Sequence, residues 1–365
     1  MPEIKIYEKL NLGRVTNWII IISAVTFSLI YFQNILKPFA LALVFWYMIA
    51  DLRNHLHKIK IRKKPLPRWL STTVAFIILF LLIEFISEVL TANTEEIMKK
   101  IPNYSASQLN FIEELGNKIG IHDLEIRIHD QLGNIDLAKL LTSFFDSLTS
   151  MVGDLVMIIV YLIFLLIEEA GFTQKIQRIV SSGPDFKSLT ELMGRINKAI
   201  NKYITLKTLV SLLVAIFSYI ILRIFGVDFP FLWAFITFIL NFIPYIGSLI
   251  ATLLPASYAV FQFGSIMSFV WIFLTITSVH ILVGNYVEPK FTGKSLNLSP
   301  LGVVIALTFW GSVWGVLGML LSVPIMSITT IVLAQFPATR FLAVLLSETG
   351  DIKSLQIGLD ENPDP

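Results

Sequence analysis

The chain has 365 residues, of which 55% are hydrophobic and only 15% are charged, and its mean hydropathy is +0.75. Soluble domains carry about 25% charged residues, so this chain has too few charges to cover a water-soluble globule. It contains no cysteine, which excludes disulfides, zinc–thiolate sites and cysteine nucleophiles. Several apolar runs reach the ~18 residues of a transmembrane helix, and the sequence therefore predicts an all-α, polytopic integral membrane protein with about eight membrane elements.

The amino-terminal part, residues 1–90, is predicted to hold three transmembrane spans. They cover residues 15–32, 35–50 and 70–90. The loop between the second and third spans, residues 51–69, carries seven Lys or Arg residues against one acid. Loops this basic stay on the cytoplasmic side of a membrane. Because two spans separate the loop from the amino terminus, both are predicted to be cytoplasmic.

An extracytoplasmic helical region is predicted at residues 91–147, where acids outnumber bases and apolar residues recur every three or four positions. The fourth span, residues 148–167, returns the chain to the cytoplasm. Residues 168–204 have mixed charge and helical periodicity, which favours a cytoplasmic or interfacial amphipathic pair of helices. The fifth span, residues 205–225, then leaves the cytoplasm again.

Two long uncharged runs follow, and both are interrupted by helix breakers. The first, residues 231–263, would be about 50 Å long as one straight helix, whereas the hydrocarbon core is ~30 Å thick. It contains NFIPYIGSLIATLLP (residues 241–255), in which Pro244 cannot donate to the helix ladder and Gly247 lets the chain turn. We expect a hairpin of two short helices that meet near PYIG. The second run, residues 301–336, repeats the pattern with four further interrupting glycines and Pro324.

Interrupted hydrophobic hairpins are a pointer to a transport site. Backbone freed from a helix is tolerated at membrane depth only where protein buries it or a water-filled cavity wets it, and its amides and carbonyls can then bind a polar solute. The substrate site is predicted between the two hairpins, lined by Asn241, Pro244, Tyr245, Gly247, Asn285 and Glu288. The alternative is that the glycines serve only close helix packing.

No chemistry beyond transport is indicated. The sequence has no GxxxxGK[ST] pattern for a nucleotide and no clustered metal ligands, so we expect no enzyme activity, no cofactor, no metal and no nucleic-acid partner. Transport must then use a gradient. Acids within a membrane are functional candidates by default, and the proton- or ion-coupling candidates are Glu84, Asp154 and Glu288. For Glu84, placement at the membrane interface is the competing interpretation.

The motifs resemble a known family. NFIPYIGSLIATLLP and VEPKFTGKSLNLSPLGVVIALTFWGSVWGVLGMLLSVPI (residues 287–325) look like the signature region of the autoinducer-2 exporter (AI-2E) family, and the resemblance extends over residues 15–340. It implies a multi-pass transporter of the bacterial inner membrane that exports a small polar solute, such as the furanone signal of quorum sensing. The resemblance also implies a homo-oligomer, namely a pentamer. Other family members are linked to sodium or lithium extrusion in exchange for protons.

Three functions therefore remain open at this point. The first is export of a small polar solute through a transport core at residues 148–340, with residues 341–365 as a cytoplasmic tail. The second is antiport of sodium or lithium, a monovalent cation, against protons. The third is a non-transporting membrane scaffold that binds envelope proteins through residues 91–147.

Overall fold

The structure is a computed structural model. It describes residues 12–58, 60–61, 64–85, 87–89, 92–93, 96, 154–180, 185–288, 290, 297–352 and 355. Nearly all of the predicted extracytoplasmic region, the first residues of the predicted fourth span and the end of the predicted tail lie outside these residues.

Helices make up almost all of the described secondary structure. In chain order they are α1 (Leu12–Tyr31), α2 (Gln33–His57), α3 (68–85), α4 (Leu155–Val180), α5 (Asp185–Ile224), α6 (Pro230–Leu240), α7 (Ile246–Phe263), α8 (Ile266–Leu282), a π-helical segment (Val283–Val287), α9 (Pro300–Trp314), α10 (Val316–Gln335) and α11 (Arg340–Leu346). Two-residue strands at Lys60–Ile61 and Lys64–Pro65 pair as a small antiparallel hairpin. Within the described residues, five helical stretches are long and apolar enough to cross a membrane, so the coarse prediction of an all-α membrane protein is confirmed.

Several helices run past the ends of the predicted spans. The second span is predicted at residues 35–50, and α2 runs on to His57. Its extension is held by Arg53, which donates two hydrogen bonds of 2.9 and 2.6 Å to the Glu169 carboxylate of α4. Trp46 of α2 donates to the same carboxylate at 3.1 Å. Helices α2, α3 and α4 share a buried apolar cluster that includes Ile49 and Leu162.

The predicted amphipathic pair at residues 168–204 is not separate from the spans beside it. Helix α4 continues to Val180, and α5 starts at Asp185 and runs for 40 residues without a break. At 1.5 Å per residue α5 is about 60 Å long, twice the thickness of the hydrocarbon core. Gly194, the lone glycine within it, is too weak a breaker to end a helix of this length.

Each uncharged run is divided into two helices. The first run breaks at residues 241–245, between α6 and α7, and the second breaks at Gly315, between α9 and α10. We call α6–α7 the first hairpin and α9–α10 the second hairpin. Trp314 at the end of α9 donates its indole N–H to the carbonyl of Leu29 at 3.1 Å, which ties the second hairpin to α1.

The other predicted interruptions of the second run do not end a helix. Pro324 lies inside α10, and Gly302, Gly311 and Gly318 lie within helices. A Cβ at Gly302 or Gly311 would press on a methionine of α10, Met326 or Met319 respectively. These glycines therefore serve close packing between the two arms, which is the alternative that the sequence left open.

Candidate functional site

A cavity of about 670 Å³ lies between α5, the first hairpin and the end of α8. Its size is within the ~300–1,000 Å³ range of small-molecule sites. Five of the six predicted substrate residues line it, namely Asn241, Pro244, Tyr245, Asn285 and Glu288, whereas Gly247 does not. Residues more than forty positions apart are thus brought to one cavity by the packing of α7 against α8 and of α8 against α5.

Asn241 fixes the position of the break against α5. Only 8% of its surface is exposed, and its amide Nδ2 donates to the hydroxyl of Ser211 at 3.0 Å. The backbone N–H of Asn241 still donates to Thr237 at 2.9 Å, so the last turn of α6 is intact up to this residue. A buried amide needs partners for its polar atoms. Asn241, at the end of α6, has such a partner in Ser211 of α5.

Tyr245 lies at the centre of a strained turn. Its φ and ψ are +60° and −61°, and the N–H of Ile246 donates to the carbonyl of Pro244 at 2.6 Å. These values define a γ-turn of the rare form with positive φ. Such a conformation costs about 1–3 kcal/mol for a residue with a side chain. Tyr245 is 60% exposed and lines the cavity, so burial of the residue does not offset the strain.

Gly247 has a different role from its neighbours. A Cβ at this position would overlap the carbonyl oxygen of Leu240, and it would lie 2.8 Å from the carbonyl carbon of Leu240 and 3.1 Å from Cβ of Ile243. The first turn of α7 therefore approaches the last turn of α6 more closely than any side chain would allow. Gly247 allows the close contact at the tip of the first hairpin, and this tip carries the cavity-lining residues Asn241, Pro244 and Tyr245.

An ion pair between two helical segments forms part of the cavity wall. The ammonium group of Lys207 on α5 donates to Glu288 Oε1 at 3.0 Å, and 11% of the Lys207 side chain and 35% of the Glu288 side chain are exposed. Glu288 follows the π-helical segment, and its backbone N–H donates five residues back to Val283. Single π turns inside α-helices are frequent at functional sites, and here the π turn comes immediately before the residue that pairs with α5.

Lys207 is absent from the site residues predicted from the sequence, although the sequence carries a signal for it. Lys207 is a lysine inside the predicted fifth span, residues 205–225, and the rule applied to intramembrane acids covers lysines as well. Tyr203, one turn earlier on α5, also lines the cavity, and its hydroxyl donates to the carbonyl of Phe242 at 3.4 Å. His280 on α8 faces the same cavity, and its Nε2 is buried without a hydrogen-bond partner among the described residues.

A family model described as "AI-2E family transporter" matches residues 19–338, which include both hairpins and the whole ion pair. The chain belongs to this family. It is 29% identical over 340 residues to "AI-2 transport protein TqsA" of Escherichia coli, covering 90% of this chain and 93% of that protein. Two proteins named "Putative transport protein" are also similar. That of Borreliella burgdorferi is 29% identical over 316 residues (86% of this chain, 85% of the relative), and that of Haemophilus influenzae is 28% identical over 326 residues (88% and 92%).

In this AI-2E transporter, the three coupling candidates do not come together. Glu84 on α3 and Asp154 just before α4 are exposed and lie outside the cavity lining, whereas Glu288 lies in it. The structure therefore connects one of the three acids with the predicted substrate residues.

The carboxy-terminal segment of this transporter closes one side of the cavity. Helix α11 packs on α10, and the chain after it meets residues 297–299. Ser299 donates its N–H to the carbonyl of Leu346 at 2.8 Å, and Asn297 Nδ2 donates to the carbonyl of Asp351 at 2.7 Å. Asn297 and Glu348 both line the cavity. The described part of the predicted tail is thus packed onto the transport core.

Proposed function

We propose that this protein exports a small, uncharged polar solute of the autoinducer-2 type across the bacterial inner membrane. The observation that carries the proposal is the cavity at the break of the first hairpin, which is lined by five of the residues that the sequence predicts for solute binding. Membership of the AI-2E family and similarity to a relative named an AI-2 transport protein support the solute class.

The chemistry of the lining suits such a solute. Asn241, Tyr245, Ser248, Thr252 and Asn285 offer amide and hydroxyl groups that donate and accept hydrogen bonds. A molecule with several hydroxyls can exchange its hydrogen bonds to water for bonds to these groups. The apolar residues of the cavity exclude further water, which is the usual composition of a small-molecule site.

Transport in this proposal is gradient-driven, because the sequence holds no nucleotide-binding loop. The protein lies in the inner membrane with both termini in the cytoplasm and works as a homo-oligomer, a pentamer by family resemblance. Mass photometry of the purified protein in detergent tests the oligomer. A mass of one chain with its micelle would contradict that part of the proposal.

Everted membrane vesicles test the function, since outward export in the cell becomes uptake into such vesicles. Vesicles with the protein, with Asn241→Leu at matched abundance and with neither are given radiolabelled autoinducer-2, with and without a proton gradient. We expect accumulation that requires the wild-type protein and is lost in Asn241→Leu.

A parallel measurement with ²²Na⁺ distinguishes the antiport alternative. Sodium movement that depends on the protein and on the proton gradient, without movement of autoinducer-2, would overturn the exporter proposal. Equal autoinducer-2 uptake in all three vesicle preparations would overturn it as well.

A further inference from the structure

Among the described residues, the cavity lining has more carboxylates than basic side chains. Glu288 and Glu348 bring two carboxylates to the lining, and Lys207 brings one ammonium group. The other ionisable side chains that face it are Tyr203, Tyr245 and His280. Among the described residues, no second Lys or Arg lines the cavity. Within the described lining, the ammonium group of Lys207 is therefore the one fixed positive charge that balances the two carboxylates.

The ammonium group of Lys207 is held in place by its surroundings. Val210 and Val214, on the turns of α5 after Lys207, form a buried apolar cluster with Val283 of the π-helical segment. These three valines also line the cavity, so the ion pair lies beside an apolar part of the cavity wall. Since Lys207 is nearly buried and 3.0 Å from Glu288, its charge is little screened by solvent.

We propose that Lys207 is a specificity-determining residue, whose ammonium group occupies the position at Glu288 that a monovalent metal cation would otherwise take. The tethered ammonium keeps the cavity for uncharged solutes. This inference deepens the proposed function and rests on it for the nature of the cargo. A partly buried carboxylate that loses the one basic partner it has among the described residues is left uncompensated. Small hard cations bind carboxylate and amide oxygens, and Glu288, Asn241 and Asn285 supply such oxygens in one cavity.

The test removes the ammonium group and measures cation binding. Purified wild-type protein, Lys207→Met and the double variant Lys207→Met/Glu288→Gln are assayed in detergent by equilibrium binding of ²²Na⁺. Thermal unfolding midpoints are also measured in NaCl, LiCl and choline chloride of equal ionic strength. Lys202→Met is the matched control, because Lys202 is exposed on the same helix and lies outside the cavity lining.

We expect Lys207→Met to bind Na⁺ at least about tenfold more tightly than the wild type, because Na⁺ no longer competes with a tethered ammonium group for the Glu288 carboxylate; this change corresponds to about 1.4 kcal/mol. Its unfolding midpoint rises in NaCl or LiCl relative to choline chloride. The double variant loses both effects, and Lys202→Met behaves as the wild type does. Lys207→Arg keeps the charge and is expected to keep the exclusion of cations.

Equal Na⁺ binding in the wild type and Lys207→Met would overturn the inference, and so would strong binding by the wild type that Glu288→Gln abolishes. If Lys207→Met does not fold, Lys207→Gln provides the same test with a polar side chain. These readouts do not involve transport. A failure of autoinducer-2 uptake in vesicles therefore removes the proposed cargo, and a failure of Na⁺ binding in the variants removes the role of Lys207.

Discussion

Gly247→Ala should destabilise the protein although alanine is the better helix former. The added Cβ would overlap the carbonyl oxygen of Leu240 and lie 2.8 Å from the carbonyl carbon. Both atoms belong to the backbone at the end of α6, so no side-chain rotation can relieve the contact. The two arms of the first hairpin must separate, and the strained turn at Tyr245 must change with them.

The expected cost follows from two opposing terms. Overpacking in a close-packed interior costs about 1–3 kcal/mol, and a backbone contact places Gly247→Ala at the upper end of that range. Replacing glycine by alanine in a helix returns about 1 kcal/mol. We therefore expect a net loss of about 2 kcal/mol in the free energy of unfolding. Because the tip carries Asn241 and Tyr245, we also expect solute transport to be lost.

The glycines of the chain provide a graded control series. Gly318 of the second hairpin meets the carbonyl oxygen of Trp310 in the same way, with the carbonyl carbon at 2.6 Å, and should behave like Gly247. At Gly311 the obstacle is the flexible Met319 side chain, 2.9 Å away, so alanine should cost less. At Gly194 nothing lies within 4 Å, and alanine should stabilise by about 0.5–1 kcal/mol. Equal unfolding midpoints for Gly247→Ala and Gly194→Ala, measured by SDS titration in mixed micelles, would refute the reasoning.

Three further outcomes are expected. Asn241→Leu removes the hydrogen bond to Ser211 and should lower the free energy of unfolding by about 1 kcal/mol. Solute uptake into vesicles should fall to background. Normal uptake at matched abundance would mean that Asn241 serves only helix packing. Arg53→Met leaves Glu169 without its two hydrogen bonds from the guanidinium group and should lower the free energy of unfolding, measured by SDS titration, by about 1–3 kcal/mol. The affinity for solute should not change. A changed apparent KM in vesicles would contradict this expectation. Lys58→Cys, exposed just after α2, should react with an impermeant maleimide only in everted vesicles, and labelling in intact cells would reverse the predicted topology.

The break of the first hairpin could be predicted because two local facts require it. Proline lacks the N–H that a helix interior needs, and the uncharged run around Pro244 is too long for one span. The family resemblance, which the match over residues 19–338 confirms, depended on the same motif. Local sequence therefore predicted the break and the residues of the first hairpin that line the cavity.

The remaining features depend on residues that meet from different helices. Lys207 and Glu288 are 81 positions apart, and only the packing of α5 against α8 and the π-helical segment makes them partners. The glycines of the second run look alike in sequence, yet Gly315 turns the chain with a φ of +67° while Gly311 admits a methionine from the facing arm. Which role a glycine has is decided by its neighbours in space, and a single sequence does not give them.

The chain reverses direction at both hairpin tips, but the two turns differ in backbone strain, and this difference bears on function. The second tip turns at Gly315, where positive φ is free of strain and a Cβ would meet nothing within 4 Å. The first tip places a tyrosine at positive φ, where glycine would avoid about 1–3 kcal/mol of strain. Burial does not offset this strain, because Tyr245 is mostly exposed where it lines the cavity. Strain of this kind clusters at functional sites, which supports the proposed solute site at the first tip over one at the second tip.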